Sequence, residues 1–120
     1  MVRKLKFDVY FITDLNFGWT HEQFAETTLK AGIRVIQFRE KRMSTKQMFE
    51  IAKRLRKLTE YYDAILIIND RVDLALAVDA DGVHVGQDLP AEAVREIFDG
   101  IVGVFCSYRW GSSRGIQARR

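Results

Sequence analysis

Short apolar runs alternate with amphipathic stretches along most of this chain. Val9-Tyr10-Phe11-Ile12 reads as a buried strand that ends at Thr13-Asp14. Leu15–Trp19 is loop, and Thr20-His21-Glu22-Gln23 has the Ser/Thr-x-x-Glu/Gln form of a capping box, so a helix starts there. That helix carries Phe24, Ala25, Thr28 and Leu29 on one face and stops at Gly32, a residue suited to a left-handed C-cap. Ile33–Phe38 is a second strand, followed by Arg39-Glu40-Lys41-Arg42 and a second capping box, Ser44-Thr45-Lys46-Gln47. Met48, Ile51, Ala52, Leu55 and Leu58 then recur at helical spacing. Ala64–Ile68 is a third strand, Arg71–Val78 a short helix and Gly82–Val85 a fourth strand. Pro90 fits the first turn of a further helix bearing Val94, Ile97 and Phe98, and Ile101–Val104 begins a fifth strand. Strands alternating with helices at this pace predict βα units around a parallel sheet, with the carboxyl ends of all strands on one rim.

After Val104 neither period continues. Residues 105–120 are expected to form an irregular, arginine-rich tail beside a folded part spanning 1–104.

Composition narrows the class without changing this picture. The 120 residues suit a single domain with a modest core, and 48% apolar with 29% charged residues is ordinary for a globular protein. Apolar runs are strand-sized, too short for a transmembrane helix, and the start lacks the pattern of a signal peptide, so a cytoplasmic location is the default. One cysteine, Cys106, excludes an internal disulfide framework and a cysteine-clustered zinc site. The formal charge is +3, but Ser107–Arg120 holds four arginines and no acid; subtracting these leaves −1 for the rest. The basic balance therefore belongs to the tail, and no nucleic-acid partner is expected.

The chemistry sits where apolar strands end in polar residues, because ligands of parallel sheets bind beyond the strands' carboxyl ends. Period two places Gln37, Arg39 and Lys41 on one face, where an amide, a guanidinium and an ammonium make a clamp for a polyanion. A solvated charged loop, with Glu40 pairing its neighbours, is the competing reading. Asn69-Asp70 follows four apolar residues directly, and Asp88 follows the next strand. Each can be a turn or cap residue. Together with the clamp, Asp70 and Asp88 can share a magnesium ion, which takes one or two carboxylates plus substrate phosphates. The resulting expectation is a metal-assisted reaction of a phosphorylated substrate.

The remaining candidates read as structural. His84 faces opposite to Val83 and Val85, so one side of its strand is polar; a structural hydrogen bond is the simpler account. His21 lies in a capping box and is expected at the surface. Cys106 lacks an activating neighbour and reads as an inert thiol. Asp63, Asp73, Asp79 and Asp81 read as loop and helix-surface charges. Nucleotide-binding glycine motifs and the His-Glu-x-x-His zinc motif are absent.

Four of these stretches, in order and at characteristic spacing, resemble the thiamine-phosphate synthase (thiamine-phosphate pyrophosphorylase) family. They are Tyr10-Phe11-Ile12-Thr13-Asp14, Gln37-x-Arg39-x-Lys41, Asn69-Asp70-Arg71-Val72-Asp73-Leu74-Ala75 and Asp81-Gly82-Val83-His84-Val85-Gly86-Gln87. The resemblance covers about Leu5–Val104. It implies a (β/α)8 TIM-barrel fold, here an incomplete barrel of about five parallel strands with covering helices. It also implies a transferase that joins hydroxymethylpyrimidine diphosphate to thiazole phosphate, releasing diphosphate and giving thiamine phosphate. Gln37, Arg39, Lys41 and Asn69 would then hold the pyrimidine diphosphate, and Asp70 and Asp88 the Mg2+.

The chain departs from the family pattern in three places. The loop Gly86-Gln87-Asp88-Leu89-Pro90 is one residue shorter than usual. Phe105 stands where the family has a diphosphate-contacting serine, with Ser107 two positions along as a substitute. Barrels of this kind need roughly 200 residues or more, so three strands and the thiazole-phosphate loops are expected to be missing, as in a truncated or out-of-frame reading of a longer gene. Open sheet edges then predict self-association. Two alternatives remain in view: an inactive diphosphate- and magnesium-binding fragment, and a thiazole tautomerase-like protein.

Overall fold

The computed structural model describes residues 11–13, 20–86, 89–108 and 111–117, and within them each predicted strand and helix is present; Val9-Tyr10 of the first strand and the Leu15–Trp19 loop lie outside the described residues. The elements run β1 (Phe11–Thr13), α1 (His21–Lys30), β2 (Val35–Phe38), α2 (Thr45–Tyr61), β3 (Ile65–Asn69), α3 (Val72–Ala77), β4 (Gly82–Val85), α4 (Ala91–Ile97), β5 (Ile101–Tyr108) and β6 (Gly111–Gln117). They build one sheet in the order β1-β2-β3-β4-β5-β6. The first five strands pair in parallel, so their carboxyl ends share one rim.

The helices begin and end for local reasons. Both capping boxes form: Thr20 with Gln23 at α1 and Ser44 with Gln47 at α2, each side chain bonding the other's backbone amide. α1, α2 and α3 all stop in the same hydrogen-bonded turn, a Schellman motif. Ile33 N donates to Thr28 O (3.2 Å), Ala64 N to Thr59 O (2.7 Å) and Ala80 N to Ala75 O (2.9 Å). The residue that turns the chain has positive φ in each: Gly32 (105°), Asp63 (56°) and Asp79 (57°). Asp63 and Asp79 were expected only as loop charges; they are the turn residues themselves. Pro90 stands just ahead of α4 as its N-cap rather than within the first turn.

The two sheet faces differ in kind. Ile36, Phe38, Leu66, Ile68, Val83, Val85 and Val102 join Ala25, Leu29, Ala52, Leu55, Leu74, Ala75, Val94 and Phe98 of the helices in one apolar core. Alternation puts Val35, Gln37, Ile67, Asn69, Gly82, His84 and Gly103 on the opposite face. This second face is closely packed as well. A Cβ at Gly82 would lie 2.7 Å from Ile67 Cδ1 and 2.8 Å from Ile101 Cβ, and one at Gly103 would lie 2.9 Å from His84 Cδ2. Glycine at these positions makes room for the neighbouring side chains. His84 is buried on this face while Val83 and Val85 enter the core, as their alternation requires.

Asp81 corrects another expectation. Its Oδ2 accepts from Leu66 N (2.8 Å) and from Arg56 Nη1 (2.6 Å), tying α2 to β3 and the start of β4. The C-terminal stretch also differs from the irregular tail expected. β5 continues to Tyr108 and pairs antiparallel with β6, from Tyr108↔Gly111 to Val102↔Gln117. An antiparallel ladder is made by backbone groups and needs no side-chain period to form.

Candidate functional site

The rim brings the polar residues after β2 against those after β3. Gln37, next to last in β2, is buried, and its Oε1 accepts from Nδ2 of Asn69, the last residue of β3, at 3.0 Å. Four residues along, Lys41 Nζ reaches Asp70 Oδ2, also at 3.0 Å. The amide pair is partly buried. The ion pair is exposed on both sides, so it contributes only about 0–1 kcal/mol and opens readily to a competing ligand. Arg39 is exposed on the same loop and has no ion-pair partner among the described residues. An exposed guanidinium, an ammonium and two amides on adjacent strand ends suit an anion with several oxygens.

Asp70 is held unusually firmly for an exposed side chain. Its backbone sits at φ 63°, its amide donates to His84 O (2.8 Å), and its Oδ1 accepts from Gly86 N (3.1 Å). A left-handed residue that is not glycine stores strain and persists where its surroundings fix it. Here the fixing contacts come from β4 and the residue after it, so the carboxylate of one strand end is aimed by the next. Arg71 continues the frame. Its guanidinium bonds Asp73 (2.8 Å and 3.0 Å) and Thr45 Oγ1 (3.1 Å), connecting the starts of α2 and α3. The bond to Arg71 holds the Asp73 carboxyl below its usual range against the opposing effect of burial.

For a hard divalent cation the donor chemistry fits. Asp70 offers carboxylate oxygens at an open rim, and a cation, the Lys41 ammonium, already lies against one of them. No group of three or more His, Cys, Asp or Glu side chains suited to a metal occurs among the described residues. A site built on one or two carboxylates and completed by substrate phosphate and water needs no such cluster. Asp88, the second expected ligand, lies outside the described residues, as do the side chains of Phe105, Cys106 and Ser107.

His21, expected at the surface, is almost wholly buried (1% exposed). Its Nδ1 lies 2.8 Å from Thr13 Oγ1 and its Nε2 2.7 Å from Glu40 Oε1, while its ring packs edge-on against Phe38. The first turn of α1 turns this residue to the same side as Ala25, Thr28 and Leu29, all buried. That shared stripe was the available sequence signal. Glu40 likewise bonds across the fold, as well as accepting from Arg42 N (2.8 Å). Burial pushes its carboxyl up, but the His21 hydrogen bond and the Arg42 amide outweigh this and leave it below the ordinary glutamate range.

Five parallel strands with helices packed on one face, and cationic and carboxylate groups at the carboxyl rim, define an α/β protein of the TIM-barrel-like class. Comparison with known proteins takes this further: residues 9–109 match the family model described as thiamine monophosphate synthase, and the chain belongs to that family. It is 67% identical over 97 residues to the thiamine-phosphate synthase of Archaeoglobus fulgidus, covering 80% of this chain and 46% of that protein. It is 47% identical over 107 residues to the thiamine-phosphate synthase of Caldanaerobacter subterraneus, covering 85% and 50%. Among solved structures it superposes on a thiamine phosphate pyrophosphorylase from Pyrococcus furiosus with TM-score 0.73 and 46% identity, over 79% of this chain and 48% of that one. The chain thus spans about half the length of the relatives it matches.

Proposed function

We propose that the rim binds the diphosphate of hydroxymethylpyrimidine diphosphate and serves its transfer to thiazole phosphate, giving thiamine phosphate and free diphosphate. The observation that carries this reading is the Lys41–Asp70 contact at 3.0 Å beside the Gln37–Asn69 pair. It sets a cation and a carboxylate from adjacent strand ends against one another, as a site for a metal-neutralised polyanion requires. Gln37, Arg39, Lys41 and Asn69 are the proposed diphosphate residues, and Asp70 with Asp88 the proposed Mg2+ ligands. Magnesium, when bound, supplies further neutralisation of the charge that grows on the leaving diphosphate.

The chain's own part is positioning and electrostatics. Arg39 and Lys41 take up the negative charge that builds on the leaving oxygens as the carbon–oxygen bond breaks. The pyrimidine methylene becomes cation-like, the thiazole nitrogen attacks it, and the electron pair of the broken bond leaves with diphosphate. No side chain has to act as a nucleophile. The Lys41–Asp70 pair opens as ligand enters, at small cost because it is exposed.

The same reading places residues 1–104 as the family part, the partners as small phosphorylated molecules rather than nucleic acid, and the reaction in the cytoplasm. Among the described residues, no helix is long and apolar enough to cross a membrane. Self-association through sheet edges belongs to the proposal too, because β1 stands at one end of the described sheet. Incubating the purified chain with both substrates and Mg2+ tests the reading. Thiamine phosphate with equimolar diphosphate is the expected result. Diphosphate binding without product would reduce the chain to a binding protein, and isomerisation of thiazole alone would select a tautomerase.

A further inference from the structure

We propose that His21 and Glu40 are positioning residues for this rim, resting on the diphosphate reading above: with Thr13 they form a buried lock that fixes the loop carrying Arg39 and Lys41. The lock joins three elements. Thr13 ends β1, His21 opens α1, and Glu40 lies two residues beyond β2. Both ring nitrogens of His21 are engaged, at 2.8 Å and 2.7 Å. A carboxylate only accepts, so Nε2 carries the proton shared with Glu40. The second Glu40 oxygen accepts from Arg42 N at 2.8 Å, so the carboxylate is held at both ends.

Sequence alternation gives the lock its purpose. Glu40 points inward to His21, while its neighbours Arg39 and Lys41 are exposed at the rim. The backbone of 39–42 cannot swing outward without breaking the bond to His21. A loop already ordered in this way loses less conformational freedom when it closes on a polyanion. A nucleophilic role for the Thr13–His21–Glu40 array is excluded by access. Thr13 is fully buried, and its hydroxyl also lies 3.3 Å from Gln37 O. Burial alone would favour protonated Glu40; the bonds from His21 and Arg42 instead favour the ionised, fully accepting form that the lock needs.

The test uses the whole chain and inorganic diphosphate with Mg2+ as the probe. His21→Phe keeps a ring against Phe38 but removes both hydrogen bonds. His21→Gln retains an amide able to donate to Glu40, and Glu40→Gln serves if His21→Phe does not fold. Calorimetry gives the affinity, and amide hydrogen exchange over residues 39–43 gives the order of the loop. Thr20→Ala, which weakens the same helix from outside the lock, is the control for stability alone.

In His21→Phe faster loop exchange is expected, with an affinity lower by about tenfold or more, the scale seen when partners behind a binding group are removed. His21→Gln should recover most of both, and Thr20→Ala should move neither. Unchanged loop exchange or unchanged affinity in His21→Phe, beside a wild type that binds, overturns the lock alone; for Glu40→Gln the same outcomes apply. A wild type that does not bind diphosphate overturns the functional reading and the positioning role with it.

Discussion

Single residues in this chain are fixed by partners far away in sequence, and the consequences are specific. Glu40 is the clearest. Because its carboxyl lies below the ordinary range when folded, its contribution is complete above that range and is lost as pH falls through the folded value. Acid titration followed by amide exchange of residues 39–43 is therefore expected to show the loop loosening below the ordinary glutamate range; Glu40→Gln, which does not ionise, should abolish that transition. Asp63 and Asp79 make the opposite kind of prediction. Both hold positive φ at helix ends, where glycine bears no Cβ penalty. Asp63→Gly and Asp79→Gly should each stabilise by about 0.5–1 kcal/mol, seen as a Tm higher by about 2–4 °C. The same scale marks where sequence reading failed. The helix stripe that His21 shares with Ala25, Thr28 and Leu29 signals burial but not its partners, Thr13 and Glu40, and Asp81 looks like a loop charge although it bonds Arg56 and Leu66. Nothing local announces a bond across the fold.

Elements, by contrast, were legible because their signals are local. Period two and period 3.6 separate the strands from the helices, and the two capping boxes formed where the spelling placed them. Thr20→Ala and Ser44→Ala should each cost about 1 kcal/mol, measured by denaturant unfolding. A smaller loss is expected for Ser44→Ala, since α2 is 17 residues long and packed against the core along Met48, Ala52 and Leu55. The elements that misled carry no period: residues 105–108 and 111–117 pair through the backbone, so a reading based on side-chain spacing finds nothing there. Pro90 and Gly32 show how far local chemistry reaches. Each sits at a helix boundary and limits its helix to within a residue.

At the scale of the molecule, parallel order turns scattered motifs into one rim. Gln37 meets Asn69 and Lys41 meets Asp70 because β2 and β3 run side by side in the same direction, with Gln37 paired to Ile67 and Phe38 to Ile68. That juxtaposition was inferable from strand ends alone, whereas Asp88 and the tail's side chains fall outside the described residues. In the proposed function the Lys41–Asp70 rim receives a magnesium-bound diphosphate. The most direct test is calorimetric titration of inorganic diphosphate with Mg2+ into the wild-type chain and into Lys41→Ala. One binding event is expected in the wild type, weakened by about tenfold or more, or about 1.4 kcal/mol, in the variant. Equal affinities, or no binding by the wild type, would contradict it.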